Sequence, residues 1–163
     1  VTAAHTNRGK TTERAVAAWF RTHGFPGGER IRRTGYATLN RETPDESDIA
    51  IAPGLIAQVK ALRPANRAER AIPGWLTQAE AQRVAARADL CLLIVRRDGT
   101  ADVGEWWCWL TTAQLITLNG ATFTDYRLDP DPDMPVRVQV AHIAPLLQAA
   151  GYGNPPDTTN GVA

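Results

Sequence analysis

Asp48-Ile-Ala-Ile-Ala-Pro53-Gly54-Leu-Ile-Ala-Gln58-Val-Lys60 is the stretch that decides the fold. An acid stands at the mouth of a short apolar run, Pro53-Gly54 marks a tight turn, and a second apolar run follows. Residues two apart in a strand face the same side. Gln58 and Lys60 therefore point together, and a hairpin returns them beside Asp48. A carboxylate, a second oxygen ligand and a lysine around one point suit metal-assisted attack on a phosphodiester. The lysine is itself unusual, because of 18 basic residues only Lys10 and Lys60 are not arginine. A generic surface charge in this chain is written as Arg, which favours a chemical role for Lys60 over a strand lysine that merely snorkels.

Upstream, residues 1–9 read as flexible. Thr11 or Thr12 is positioned to cap a helix to about His23, with Ala15, Val16, Trp19 and Phe20 as its apolar stripe and Gly24 as its stop. Glu13 lies at the rim of that stripe. It reads either as a first-turn acid favoured by the helix dipole or as an acid facing a metal. Residues 29–36 read as a basic strand and 37–46 as a polar loop. Asp45, after Pro44, rivals Asp48 for the acidic position, but Asp48 leads straight into the strand and falls level with Gln58.

Downstream, residues 62–74 carry Arg63, Arg67, Arg70, two prolines and Gly74, and read as a mobile basic loop that orders on DNA. A helix is expected from Trp75 to Ala88, a fully buried strand over Leu90–Val95, and a further strand over 103–110. A short helix at about 112–118, a strand over 135–140 and a helix over 142–150 complete the pattern. The order α-β-β-β-α-β plus C-terminal additions implies a crossover. The expected fold is therefore α/β, a mixed central β-sheet flanked by helices. Residues 1–152 are expected to form one domain and 153–163 a disordered tail.

The net charge of +1 hides a division. Residues 1–100 hold 16 basic against 10 acidic residues, and residues 101–163 hold 2 against 7. A basic half points to a polyanion on one face. Lys10, Arg30, Arg32 and Arg33, with Arg63, Arg67 and Arg70, are the candidate phosphate contacts, since guanidinium forks match phosphate oxygens. Gln78 and Gln82 lie one helical turn apart on the face that carries Trp75, and Gln78 is the stronger candidate. Trp107 and Trp109 share one strand face and Trp106 takes the other, so core packing suits one face and an interface the other. Cys91 and Cys108 sit in apolar runs and read as small buried hydrophobes of a reducing compartment. Three scattered histidines offer no zinc spacing. The chain has no apolar run of membrane-spanning length and no signal-peptide pattern, so the expectation is a cytoplasmic protein, its Ala/Arg-rich composition fitting a bacterial or phage genome.

The hairpin motif resembles the core of the PD-(D/E)xK nuclease superfamily. Gly9-Lys10-Thr-Thr-Glu13-Arg14, the helix ending His23-Gly24-Phe25, and Arg32-Arg33-Thr34-Gly35 narrow the resemblance to archaeal-type and phage Holliday junction resolvases, over roughly residues 7–97. The resemblance implies a restriction-endonuclease-like αβββαβ core. It also implies a Mg²⁺ (or Mn²⁺) site built by Glu13, Asp48 and the residue at 58, with Lys60 as the catalytic lysine and the hydroxyl of Thr34 nearby. It implies a DNA endonuclease acting on branched or four-way junctions in recombination and repair, and a two-fold homodimer that makes opposed nicks. Two departures stand out: Gln58 replaces the acid of the ExK motif, and Thr34 stands where the resolvases tend to carry Ser. Some Mrr-like restriction nucleases of the superfamily also carry QxK. An Mrr-like restriction or repair nuclease is therefore one alternative, and a catalytically silent DNA-binding module of the same fold is another.

Overall fold

The computed structural model describes residues 3–31, 48–61, 65–120 and 131–155, with the side chains of 3–8 and 65–67 left aside. In chain order the elements are α1 (Ala3–Thr22), β1 (Glu29–Arg30), β2 (Ile49–Ala52), β3 (Leu55–Lys60), α2 (Ala65–Ala85), β4 (Leu90–Val95), a 3₁₀ turn (Val103–Glu105), β5 (Trp107–Thr111), α3 (Thr112–Leu118), β6 (Pro135–Gln139) and α4 (Val140–Ala149). The strands form one six-stranded sheet in the order β1-β2-β3-β4-β5-β6. Only β3 and β4 pair in parallel; the other neighbours are antiparallel. A parallel pair needs a crossover, and α2 supplies it. The fold is α/β with a mixed sheet.

Strand alternation sorts the core into two apolar layers. Leu55 and Ala57 of β3, with Leu92 and Ile94 of β4, join Val16 and Phe20 of α1 and Ile143 and Leu147 of α4. The intervening residues face α2: Ile56 and Cys91 pack with Ala79, and Leu93 and Val95 pack with Ala68 and Ile72. β4 is buried along its whole length, as its unbroken Leu-Cys-Leu-Leu-Ile-Val run requires for a strand covered on both faces. Trp106 is buried on the α1 side, whereas Trp107 and Trp109 pack partly against the α2 layer.

The Pro53-Gly54 turn pins the hairpin to the rest of the sheet. Gly54 has φ +76°, a conformation that costs any residue with a Cβ. A Cβ there would also meet the Asp89 carboxylate. The Gly54 carbonyl accepts from the backbone N–H of Asp89 (2.8 Å) and of Leu90 (3.1 Å), which anchors the start of β4 beside the turn.

Four expectations need correction. Helix α1 begins at Ala3, not at Thr11 or Thr12; Ala3 and Ala4 are strong helix formers and no proline interrupts the run. Thr12 is accordingly a buried mid-helix residue. Helix α2 begins at Ala65, so most of the expected loop at 62–74 is helical and contains Pro73. An internal proline costs a helix about 3 kcal/mol, but Ala68 and Ile72 gain burial on Leu93 and Val95 on the near side of it. The strand expected over 103–110 opens instead with a 3₁₀ turn, because Asp102 Oδ1 accepts from Gly104 N (2.9 Å) and caps it. Gly153 to Pro155, expected in the tail, fold back: Asn154 N–H donates to the Gly24 carbonyl (2.7 Å) beside the left-handed Gly24 that ends α1.

Backbone conformation makes a paired prediction. Arg87 holds φ +51° just past the end of α2, where the Ala88 N–H reaches back to the Arg83 carbonyl (3.0 Å), an arrangement that favours glycine. Arg87→Gly should stabilise the protein by up to about 1 kcal/mol, and Gly54→Ala should destabilise it by at least about 1–2 kcal/mol. Urea midpoints for the two variants check both signs.

Candidate functional site

The site is built on the mouth of the β2–β3 hairpin. Ile49 lies opposite Ala57, so Asp48 falls opposite Gln58. The Asp48 N–H donates to the Ala57 carbonyl (3.1 Å), and its carboxylate Oδ2 accepts from the Val59 N–H (2.8 Å). The carboxylate is thereby fixed between Gln58 and Lys60 along β3. Ile49 and Ile51 point into the α1 layer, so alternation puts Asp48 on the opposite face, with Gln58 and Lys60.

Gln58 is almost fully buried, at 3 % exposure. Its neighbours fix the orientation of the amide. Nε2 donates to the Trp75 carbonyl of α2 (3.2 Å), while Oε1 accepts from Lys60 Nζ (3.1 Å) and Gln82 Nε2 (3.3 Å). Lys60 Nζ also reaches Gln78 Oε1 at 3.5 Å and lies 5.8 Å from the centre of the Trp75 ring. Two amide oxygens and one aromatic face thus help to orient the ammonium.

Gln82 is the residue that sequence reasoning undervalued. It is 6 % exposed and bonded to Gln58, whereas Gln78 is exposed and touches Lys60 only at the limit of hydrogen-bond range. The sequence signal was present in the spacing of Trp75, Gln78 and Gln82 along one helix face. The side-chain oxygen Oε1 of Gln82 is buried without a partner among the described residues, an acceptor left over at the inner wall of the site.

The remaining candidates divide. Glu13, on α1, forms an ion pair with Arg30, which stands opposite Ile49 and so next to Asp48 in the sheet. Both are partly buried. The structure therefore joins a candidate ligand to a candidate phosphate contact. Lys10 is exposed on α1, and Arg70 is exposed on α2. Arg32, Arg33, Thr34, Asp45 and Arg63 lie outside the described residues, as does the side chain of Arg67.

The donor set decides what metal could be held here. Among the described residues no three His, Cys, Asp or Glu side chains gather into a metal-binding group. Asp48 offers an anionic oxygen, and the amide oxygen of Gln58 lies in the same cluster. Mg²⁺ commonly keeps several waters and takes only one or two carboxylates beside substrate phosphates, so Asp48 fits such an ion, while the Gln58 oxygen is already engaged by Lys60 and Gln82. Glu13, as placed, fits Arg30.

Two other features bear on the chemistry. A cleft of about 930 Å³ opens along α2 from Pro73 to Arg83, lined also by Asp89, Asp133 and Tyr152 among others. It includes neither Gln58 nor Lys60. Its Glu80 carboxyl is held low, chiefly by the hydrogen bond from Arg83, and its several acids suit a polyanion poorly. Both cysteines are buried, and neither is in a disulfide. Burial pushes the Cys108 thiol far up, with a smaller contribution from Cys91, which makes it an inert core residue rather than a nucleophile.

Comparison with protein-family models, with curated proteins and with solved structures returned no match.

Proposed function

We propose that the chain is a metal-dependent DNA endonuclease of the PD-(D/E)xK type, most similar to Holliday junction resolvases. One observation carries the proposal: the β2–β3 hairpin gathers Asp48, Gln58 and Lys60 on one face, with the Asp48 carboxylate clipped to the Val59 N–H and Lys60 Nζ held on Gln58 Oε1. The α-β-β-β-α-β order and the mixed sheet are what the resemblance implies, and they support a restriction-endonuclease-like core.

In this proposal Asp48 would hold Mg²⁺ or Mn²⁺, with Gln58 Oε1 joining only if it leaves Lys60 or Gln82 and Glu13 only if it leaves Arg30. The ion, when bound, supplies Lewis-acid polarisation of the scissile phosphate. Lys60 orients the attacking water and offsets charge that builds on the phosphate. Gln58 fixes where that ammonium sits, and α2 fixes Gln58 through the Trp75 carbonyl and Gln82. Arg30, Arg70 and Lys10 lie on elements around the site and would position DNA through its phosphates, reading branched shape rather than base sequence. Two opposed nicks require a homodimer. The Gln at 58 favours an Mrr-like restriction or repair nuclease as the second reading.

The direct test is a synthetic four-way junction beside a matched linear duplex, each with Mg²⁺, Mn²⁺ or chelator. The junction should be nicked with either metal and spared with chelator, and the duplex should be cut far less. Preference for the duplex would transfer the assignment to the Mrr-like reading, and no metal-dependent cleavage of either would leave the silent DNA-binding module.

Lys60→Ala and Asp48→Asn should each slow cleavage on the order of 10²–10⁴-fold, with circular dichroism and DNA binding retained. Asparagine keeps an acceptor for the Val59 N–H, so Asp48→Asn separates chemistry from folding. Asp45→Asn should be much milder than Asp48→Asn. Full activity in Lys60→Ala would remove the lysine from the mechanism.

A further inference from the structure

We propose that Arg97 and Arg137, seated on Trp107 and Trp109, form a phosphate-binding site for the DNA strand beyond the scissile position. This rests on the nuclease reading of the Asp48–Lys60 hairpin and assigns it a second contact with its substrate. The guanidinium carbon of Arg97 lies 5.0 Å over the Trp107 ring, and that of Arg137 lies 4.5 Å over the same ring and 5.6 Å over Trp109. Two cations on adjacent aromatic faces are held by the ring quadrupoles while their N–H groups are left for another acceptor.

The position of the cluster follows from the sheet. Lys60 pairs with Val95, and Val95 pairs with Trp107. Lys60 and Trp107 therefore stand in one row, on the α2 face, two strand spacings or about 10 Å apart. That is about three base pairs of rise along a duplex axis at ~3.4 Å each. A strand lying across Lys60 would reach the arginines within a few phosphates.

The chemistry of the cluster selects a polyanion. Arg137 has a side chain 42 % exposed, and Glu69 of α2 engages only its Nη1, at 3.3 Å. A guanidinium carries five donors, so most of the fork remains for phosphate oxygens. Among the described residues Glu69 is the acid bonded to the pair, and it offsets one of the two charges. A two-fold contact centred here would set arginines against their own copies, and like charges facing each other are costly. DNA phosphate is the occupant that the charge favours.

The test measures binding without cleavage. Fluorescence anisotropy of a labelled four-way junction in chelator would be followed from low to high salt for the wild type, Arg97→Ala, Arg137→Ala and the double variant. Each single change should weaken binding on the order of tenfold and reduce the slope of log K against log salt by about one. Glu69→Gln should tighten binding. Thermal melts confirm folding, and sedimentation reports the oligomeric state. A double variant that is folded and binds with unchanged affinity and slope overturns this site while leaving the nuclease reading in place. A double variant that loses its dimer with the salt slope unchanged also overturns it, in favour of an interface. A wild type that binds no DNA overturns both.

Discussion

The Gln58 side chain is a buried polar group that links the sheet to α2, and the geometry of the site depends on it. Its amide both donates and accepts: the N–H goes to a helix carbonyl, and the oxygen takes the lysine and a second glutamine. A buried polar group that satisfies its partners fixes their relative positions, and one that fails to do so is costly. A glutamate here would keep the acceptor for Lys60 but would turn an oxygen toward the Trp75 carbonyl, acceptor against acceptor. An amide at position 58 thus suits its buried partners, independent of any metal.

The same constraint explains why α2 tolerates Pro73 and Gly74. The helix must present Trp75, Gln78 and Gln82 to the site while its earlier turns cover Leu93 and Val95. Tertiary burial outweighs local propensity in that first half. Glu13 and Arg30 show the same economy at the outer edge, where a carboxylate beside a cluster containing Asp48 is balanced by an arginine on the neighbouring strand.

What could be read from the sequence was local. Pro53-Gly54 and the alternation around it located the hairpin, and the unbroken run at Leu90–Val95 located the doubly covered strand, because turn chemistry and burial pattern are written within a few residues. Partnerships between distant residues were not readable. Arg30 meets Glu13 across 17 positions, and Arg137 meets Trp107 only through the β5–β6 register. The helical half of 62–74 was hidden behind two breaker residues whose cost is offset by contacts with β4. Gln82 was ranked below Gln78 because a helix face shows which residues share a side but not how deeply each is buried.

The central claim is that Asp48, Gln58 and Lys60 form one metal-dependent site in which Gln58 stands as a neutral ligand. Its most direct test is nicking of a four-way junction across a Mg²⁺ titration, for the wild type and for Gln58→Glu, with folding checked by thermal melting. The account predicts that both proteins nick and that Gln58→Glu reaches half-maximal rate at lower Mg²⁺, because a hard cation prefers an anionic oxygen. A folded Gln58→Glu that is inactive beside an active wild type would contradict the ligand role and show that the amide N–H, which holds Gln58 on the Trp75 carbonyl, is what the site needs.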